Sequence, residues 1–119
     1  MQTPHSLIPA ALACALAAFP LQAADLNDLT WTTTGGQVTI IDCVTSASGD
    51  LVIPATIEGL PVTAIGDNAF RSCDILSSIT IPNSVNTIGS RAFQFCNSLT
   101  SMVLPDGISS IASYTFYGC

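Results

Sequence analysis

Residues 66–88 read GDNAFRSCDILSSITIPNSVNTI, and residues 89–111 read GSRAFQFCNSLTSMVLPDGISSI. Aligned at a period of 23, eight positions are identical: Gly66/Gly89, Ala69/Ala92, Phe70/Phe93, Cys73/Cys96, Leu76/Leu99, Ser78/Ser101, Pro82/Pro105 and Ile88/Ile111. Ile79/Met102, Ile81/Leu104 and Val85/Ile108 keep apolar character. A third copy starts at Ala112, holds Phe116 and Cys119 in register, and stops there. A repeat of this length is the mark of stacked supersecondary units, each with an apolar side that it cannot bury alone.

Two periodicities alternate inside each unit. Gly66, Ala69, Phe70 and Cys73 fall at i, i+3, i+4 and i+7, which predicts a short helix with Asp67 or Asn68 capping its start. Leu76, Ile79 and Ile81 then follow the spacing L-x-x-L-x-L. This predicts a strand with Ile79 and Ile81 on one face and Ser78 and Thr80 on the other. Pro82 ends the strand, and Val85 and Ile88 turn inward before Gly89 restarts the unit. Stacking such coils at strand spacing, about 4.8 Å, makes a parallel sheet with a continuous core behind it.

Working outward toward the N-terminus, Leu51-Val52-Ile53-Pro54 matches the strand ends Ile81-Pro82 and Leu104-Pro105. It reads as a degenerate first repeat, lengthened by the turn Glu58-Gly59-Leu60-Pro61. Leu29 to Thr34 (LTWTTT) and Gln37 to Asp42 (QVTIID) are rich in β-branched and aromatic residues. Gly35-Gly36 between them is a two-residue hairpin signal. Residues 25–65 therefore read as an N-terminal β cap. Ahead of them, Leu7 to Leu21 is an apolar run too short for a comfortable span, followed by Gln22-Ala23-Ala24 and polar Asp25. Residues 1–24 read as a secretory signal, cleaved after Ala23 or Ala24, although the segment before the run lacks Lys and Arg. A buried N-terminal helix is the alternative.

Composition excludes more than it assigns. The chain has eight acidic residues against two basic ones, Arg71 and Arg91, and a net charge of −6. Phosphate neutralisation needs clustered Lys and Arg, so nucleic acid is excluded as a partner and an anionic membrane surface is disfavoured. The one histidine is His5, inside the signal segment. The processed chain would have neither His nor Lys, which removes Ser–His–Asp and Cys–His sites, histidine metal sites and lysine nucleophiles. We assign no catalytic, cofactor-binding or metal-ligating residue. Asp67, Asp74 and Asp106 are dispersed, without calcium-loop spacing or the facing pair that glycoside hydrolysis requires.

The pattern A-F-x-x-C-x-x-L-x-x-I-x-I-P-x-x-V-x-x-I-G resembles the 23-residue leucine-rich repeat of the BspA type, shared with treponemal surface proteins. The resemblance covers Gly66 to Cys119, and Leu51 to Ile65 is similar to the family's entry segment. It implies an α/β solenoid: a leucine-rich-repeat stack with a parallel sheet, short helices on the opposite side, and a β-hairpin N-terminal cap. The repeats run 66–88, 89–111 and, in part, 112–119. The resemblance further implies a secreted or surface-exposed bacterial, adhesion-like protein that binds other proteins, such as host matrix components or neighbouring cells, without catalysis. Family arrays generally carry more repeats, so this chain reads as partial. Two alternatives stand beside binding: a spacer repeat of a larger cell-surface protein, and a non-functional truncated remnant.

The outward sheet face is the candidate binding surface, displaying Ser78, Thr80 and Asn83 from one coil and Ser101, Val103 and Asp106 from the next. Small polar residues of this kind also make inert solvated strand faces. Phe70, Phe93 and Phe116 read as a core spine rather than a ligand-stacking ladder. Cys73, Cys96 and Cys119 form a column of buried thiols. A secreted chain permits a disulfide between neighbouring coils, and nothing in the spacing supports a metal. Cys43 stands apart in the cap with no obvious partner. The open last coil, with Tyr114 and Phe116, is expected to drive self-association.

Overall fold

The computed structural model describes residues 24–108 and 110–119. The predicted signal segment lies outside them except for Ala24, which is buried and donates its N–H to the Ser48 carbonyl at 2.7 Å. A 3₁₀ turn, Leu26–Asp28, follows. The Asp25 carboxylate caps it by accepting from Asn27 N–H, and the Asp28 carboxylate accepts from Asp25 N–H in return.

Eight strands follow: β1 Leu29–Thr34, β2 Gln37–Cys43, β3 Gly49–Val52, β4 Thr56–Ile57, β5 Leu60–Ile65, β6 Leu76–Thr80, β7 Thr87–Ile88 and β8 Ser101–Val103. β1 and β2 are antiparallel about Gly35-Gly36, whose φ angles of 59° and 78° make the left-handed two-residue turn that glycine supplies without strain. The inserted turn centres on Glu58-Gly59 and pairs Ile57 with Leu60 across β4 and β5.

Each coil contributes three sides. The first is a parallel sheet, β3-β6-β8, in which Leu51, Ile79 and Met102 stand in register. The second is a parallel ladder, β2-β5-β7, which aligns Ile40, Ile65 and Ile88. The cap strands β2 and β3 are thus the first rungs of the two ladders. Between the sides lies one apolar core, in which Val38, Ile40, Leu51, Val62, Phe70, Leu76, Ile79, Val85 and Phe93 are fully buried. Burying each such side chain contributes about 1.5–3 kcal/mol relative to leaving it exposed.

The third side departs from expectation. Short helices were predicted from the spacing of Gly66, Ala69, Phe70 and Cys73, yet the described residues contain no α-helix. Residues 67–72 and 90–95 form consecutive turns instead. Ala69, Arg71 and Cys73 donate three residues back, to Gly66, Asn68 and Phe70. The alternate N–H groups leave the coil: Asn68 to Ser90 at 3.0 Å, Phe70 to Ala92 at 2.7 Å and Ser72 to Gln94 at 2.8 Å. Arg91, Phe93 and Phe95 repeat this toward Ser113, Thr115 and Tyr117.

The reason is distance. Packed helices lie about 8–10 Å apart, whereas strands pair at about 4.8 Å, so a helix in every coil would splay the stack on that side. A helix of two turns also recovers little of its nucleation cost. Turns keep the backbones within reach and still place positions 69, 70 and 73 inward. The predicted helix cap changes role accordingly: the Asp67 carboxylate accepts from Ser90 N–H at 2.8 Å, which ties one coil to the next.

Candidate interaction surface

The outward face of the β3-β6-β8 sheet follows from strand alternation. With Leu51, Ile79 and Met102 inward, the register leaves two outward rows: Asp50–Ser78–Ser101 and Val52–Thr80–Val103. Ser78 and Thr80 are half-buried in the central strand, and Ser101 and Val103 are exposed at the edge. Asn83 and Asp106 lie beyond the strands, where Asp106 N–H donates to Asn83 Oδ1 at 3.4 Å. The structure therefore brings Ser78, Thr80, Ser101 and Val103 into one strip and sets Asn83 and Asp106 at its end.

Two residues of this face escaped the sequence reading. Asp50 accepts from Ser78 Oγ at 2.8 Å and from Ser77 Oγ at 3.2 Å, which holds a carboxylate across the first two strands. Val52 is 65% exposed and Val103 58%, one on each side of Thr80. The signal was present: Asp50-Leu51-Val52-Ile53-Pro54 aligns residue for residue with Ser78-Ile79-Thr80-Ile81-Pro82. Treating the first copy as a cap hid its outward positions.

The turn side carries a second group that the sequence reading missed. Arg71 stacks over Phe95, with its guanidinium carbon 5.9 Å from the ring centroid, and Arg91 lies 5.4 Å from the Tyr114 centroid. Tyr117 meets both Phe95 and Tyr114 edge-on, at 5.8 Å and 5.7 Å. Each contact contributes about 0.5–1 kcal/mol at such exposed positions. Both of the chain's cations are thereby committed to aromatic partners.

Inside, Phe70, Phe93 and Phe116 stack nearly parallel, 5.2 Å and 5.7 Å between centroids, and the first two are fully buried. Phe70 and Phe93 are a spine of the core, and Phe116 continues it at the exposed last coil. The thiol column is tied to the coil before it: Cys96 Sγ donates to the Phe70 carbonyl at 3.1 Å, and Cys119 Sγ to the Phe93 carbonyl at 3.0 Å. Burial pushes the Cys96 thiol up to about 12, so it stays protonated at neutral pH. Among the described residues no group of three or more His, Cys, Asp or Glu is arranged to hold a metal.

The comparisons with known proteins fit this arrangement. Residues 53–119, more than half of the chain, match the family described as the BspA-type leucine-rich-repeat region (6 copies). The chain belongs to the BspA-type leucine-rich-repeat family. None of the curated proteins matches it. Among solved structures it is similar to the T. pallidum leucine-rich-repeat protein TpLRR, with 29% identity and a TM-score of 0.74 over 82% of this chain and 46% of that one. It is also similar to a leucine-rich cell surface protein of Faecalibacterium prausnitzii, with 27% identity and a TM-score of 0.71 over 79% and 24%. A leucine-rich-repeat protein of Bacteroides ovatus follows, with 28% identity and a TM-score of 0.65 over 87% and 27%. The chain thus spans less than half the length of each of these proteins. The family and these neighbours are generally non-catalytic interaction modules.

Proposed function

We propose that this chain is a secreted or surface-exposed, non-catalytic module that binds a protein partner through the outward face of β3, β6 and β8. The observation that carries the reading is the row Val52–Thr80–Val103. It sets two exposed valines on either side of a small threonine on a strip that hydrogen-bonded coils hold rigid. Such a strip gives apolar contact area with little side-chain entropy to lose on binding. Asp50, Ser78 and Ser101 line the parallel row, and Asn83 and Asp106 extend the polar rim. The cell-surface description of the F. prausnitzii neighbour supports an extracellular location, where the partner would be a host or neighbouring-cell protein.

Surface plasmon resonance against an immobilised extract of extracellular-matrix proteins tests the reading. The double variant Thr80→Arg/Val103→Arg should lose binding at least tenfold while keeping its melting temperature, whereas Arg71→Ala, on the turn side, should keep binding. If the sheet-face variant binds like the unmodified chain, the assignment to this face is wrong.

A further inference from the structure

Cys43 and Cys73 are 30 residues apart in the sequence and adjacent in the fold. Cys43 Sγ donates to the Val44 carbonyl at 3.6 Å. Cys73 Sγ points at the same carbonyl from 3.8 Å, and at the Cys43 carbonyl from 3.7 Å. These are long contacts. The corresponding thiols of the next two coils bond a phenylalanine carbonyl at 3.0–3.1 Å. The first coil has no phenylalanine before it, and the end of β2 stands in its place. Cys73 is thus the member of the thiol column that meets a second cysteine from outside the column. Both side chains are buried in the core, and Val44 to Ser46, which follow Cys43 in the chain, are exposed.

We propose that Cys43 and Cys73 form a disulfide that fastens the N-terminal hairpin to the first repeat coil. Sharing one carbonyl oxygen brings the two sulfur atoms to the same point of the core, from which they must close to the S–S bond length of about 2.05 Å. Cys43 donating to an ionised Cys73 holds the Cys73 thiol below its ordinary value and raises that of Cys43. Either thiolate can open the exchange.

The oxidant is an external disulfide, such as oxidised glutathione or a dithiol oxidoreductase. One of the two cysteines, as the thiolate, attacks one sulfur of that disulfide and releases the other as a thiol, which leaves a mixed disulfide on that cysteine. The other cysteine then attacks the protein sulfur of the mixed disulfide and releases the second thiol. Two cysteines lose two electrons and two protons, and the external disulfide gains both. The bond closes a loop of 30 residues, which in the chain-entropy account lowers the unfolding equilibrium constant on the order of 10²–10³-fold.

The sequence supplies its own assay. Arg71 and Arg91 are the only tryptic sites, so digestion separates Cys43 (in 1–71), Cys73 (in 72–91) and Cys96 with Cys119 (in 92–119). The folded full chain, equilibrated with a glutathione redox buffer, alkylated in denaturant and digested without reductant, should yield 1–71 linked to 72–91. That species should vanish in Cys43→Ser, which separates Cys43 from Cys14 of the same fragment, and persist in Cys96→Ser. The oxidised chain should also unfold at higher denaturant than the reduced chain. Recovery of 72–91 with Cys73 alkylated, or joined to 92–119, overturns the proposal.

Discussion

The stack makes demands on single residues that their chemistry opposes. Ser72 has φ 63°, as does Phe95 one coil later, and Gly118 takes the equivalent place at 79°. Asn68, Arg91 and Tyr114 form a second left-handed column, at 57–63°. A left-handed residue with a Cβ costs about 1–2 kcal/mol, and the coil-to-coil hydrogen bonds offset it. Ser72→Gly should therefore be neutral or stabilising by up to about 1 kcal/mol, whereas β-branched Ser72→Val should destabilise by about 1–2 kcal/mol or more. Chemical denaturation checks both, and equal destabilisation by the two variants would contradict the assignment. Gln94 is 7% exposed, and its Oε1 finds no hydrogen-bond partner among the described residues. An unpaired buried acceptor costs about 1–3 kcal/mol, so Gln94→Met should raise the denaturation midpoint. A lower midpoint would mean that the oxygen is satisfied.

At the scale of elements, the glycine shared by the two full repeats has a specific job. A Cβ on Gly89 would collide with the backbone and carboxylate of Asp67 and with the Gly66 carbonyl carbon, at the point where Gly89 N–H bonds Ile65 O at 2.8 Å. Gly89→Ala should cost about 1–3 kcal/mol by overpacking and reduce amide protection at Ser90, whose N–H bonds the Asp67 carboxylate. Hydrogen exchange reads that loss, and unchanged protection would contradict it. The sequence made β3, β6 and β8 legible because period-two alternation and the Ile-Pro or Leu-Pro ending belong to few other structures, while β4, β5 and β7 were not read as strands. It made the third side misleading. Positions i, i+3, i+4 and i+7 point inward in a helix, and also in overlapping turns that share their hydrogen bonds with the next coil. The residues that would distinguish the two are those at positive φ, and Asn68, Ser72, Arg91, Phe95 and Tyr114 carry no common signature. The outward face of the sheet was legible at Ser78, Thr80, Ser101 and Val103. It was hidden at Asp50 and Val52, which lie in a strand read as part of the cap.

For the whole molecule, the columns are unequal along the stack. Phe70 and Phe93 are fully buried while Phe116 is 37% exposed, and Ile111, Tyr114 and Tyr117 are exposed around it. We propose that the 119-residue polypeptide self-associates through this end, where these side chains leave apolar surface open to water. Sedimentation velocity should show oligomers that grow with concentration, and Phe116→Asp should shift them toward monomer. A monomer at every concentration would contradict the proposal.

All of these expectations depend on coils joined by backbone hydrogen bonds on three sides, turns included. Scalar couplings across hydrogen bonds, measured by NMR on isotope-labelled protein, name each acceptor directly. The structure predicts a coupling from the amide nitrogen of Phe70 to the carbonyl carbon of Ala92, and the same from Phe93 to Thr115. Couplings from Phe70 to Gly66 and from Phe93 to Gly89 would restore the helices and contradict the stack described above.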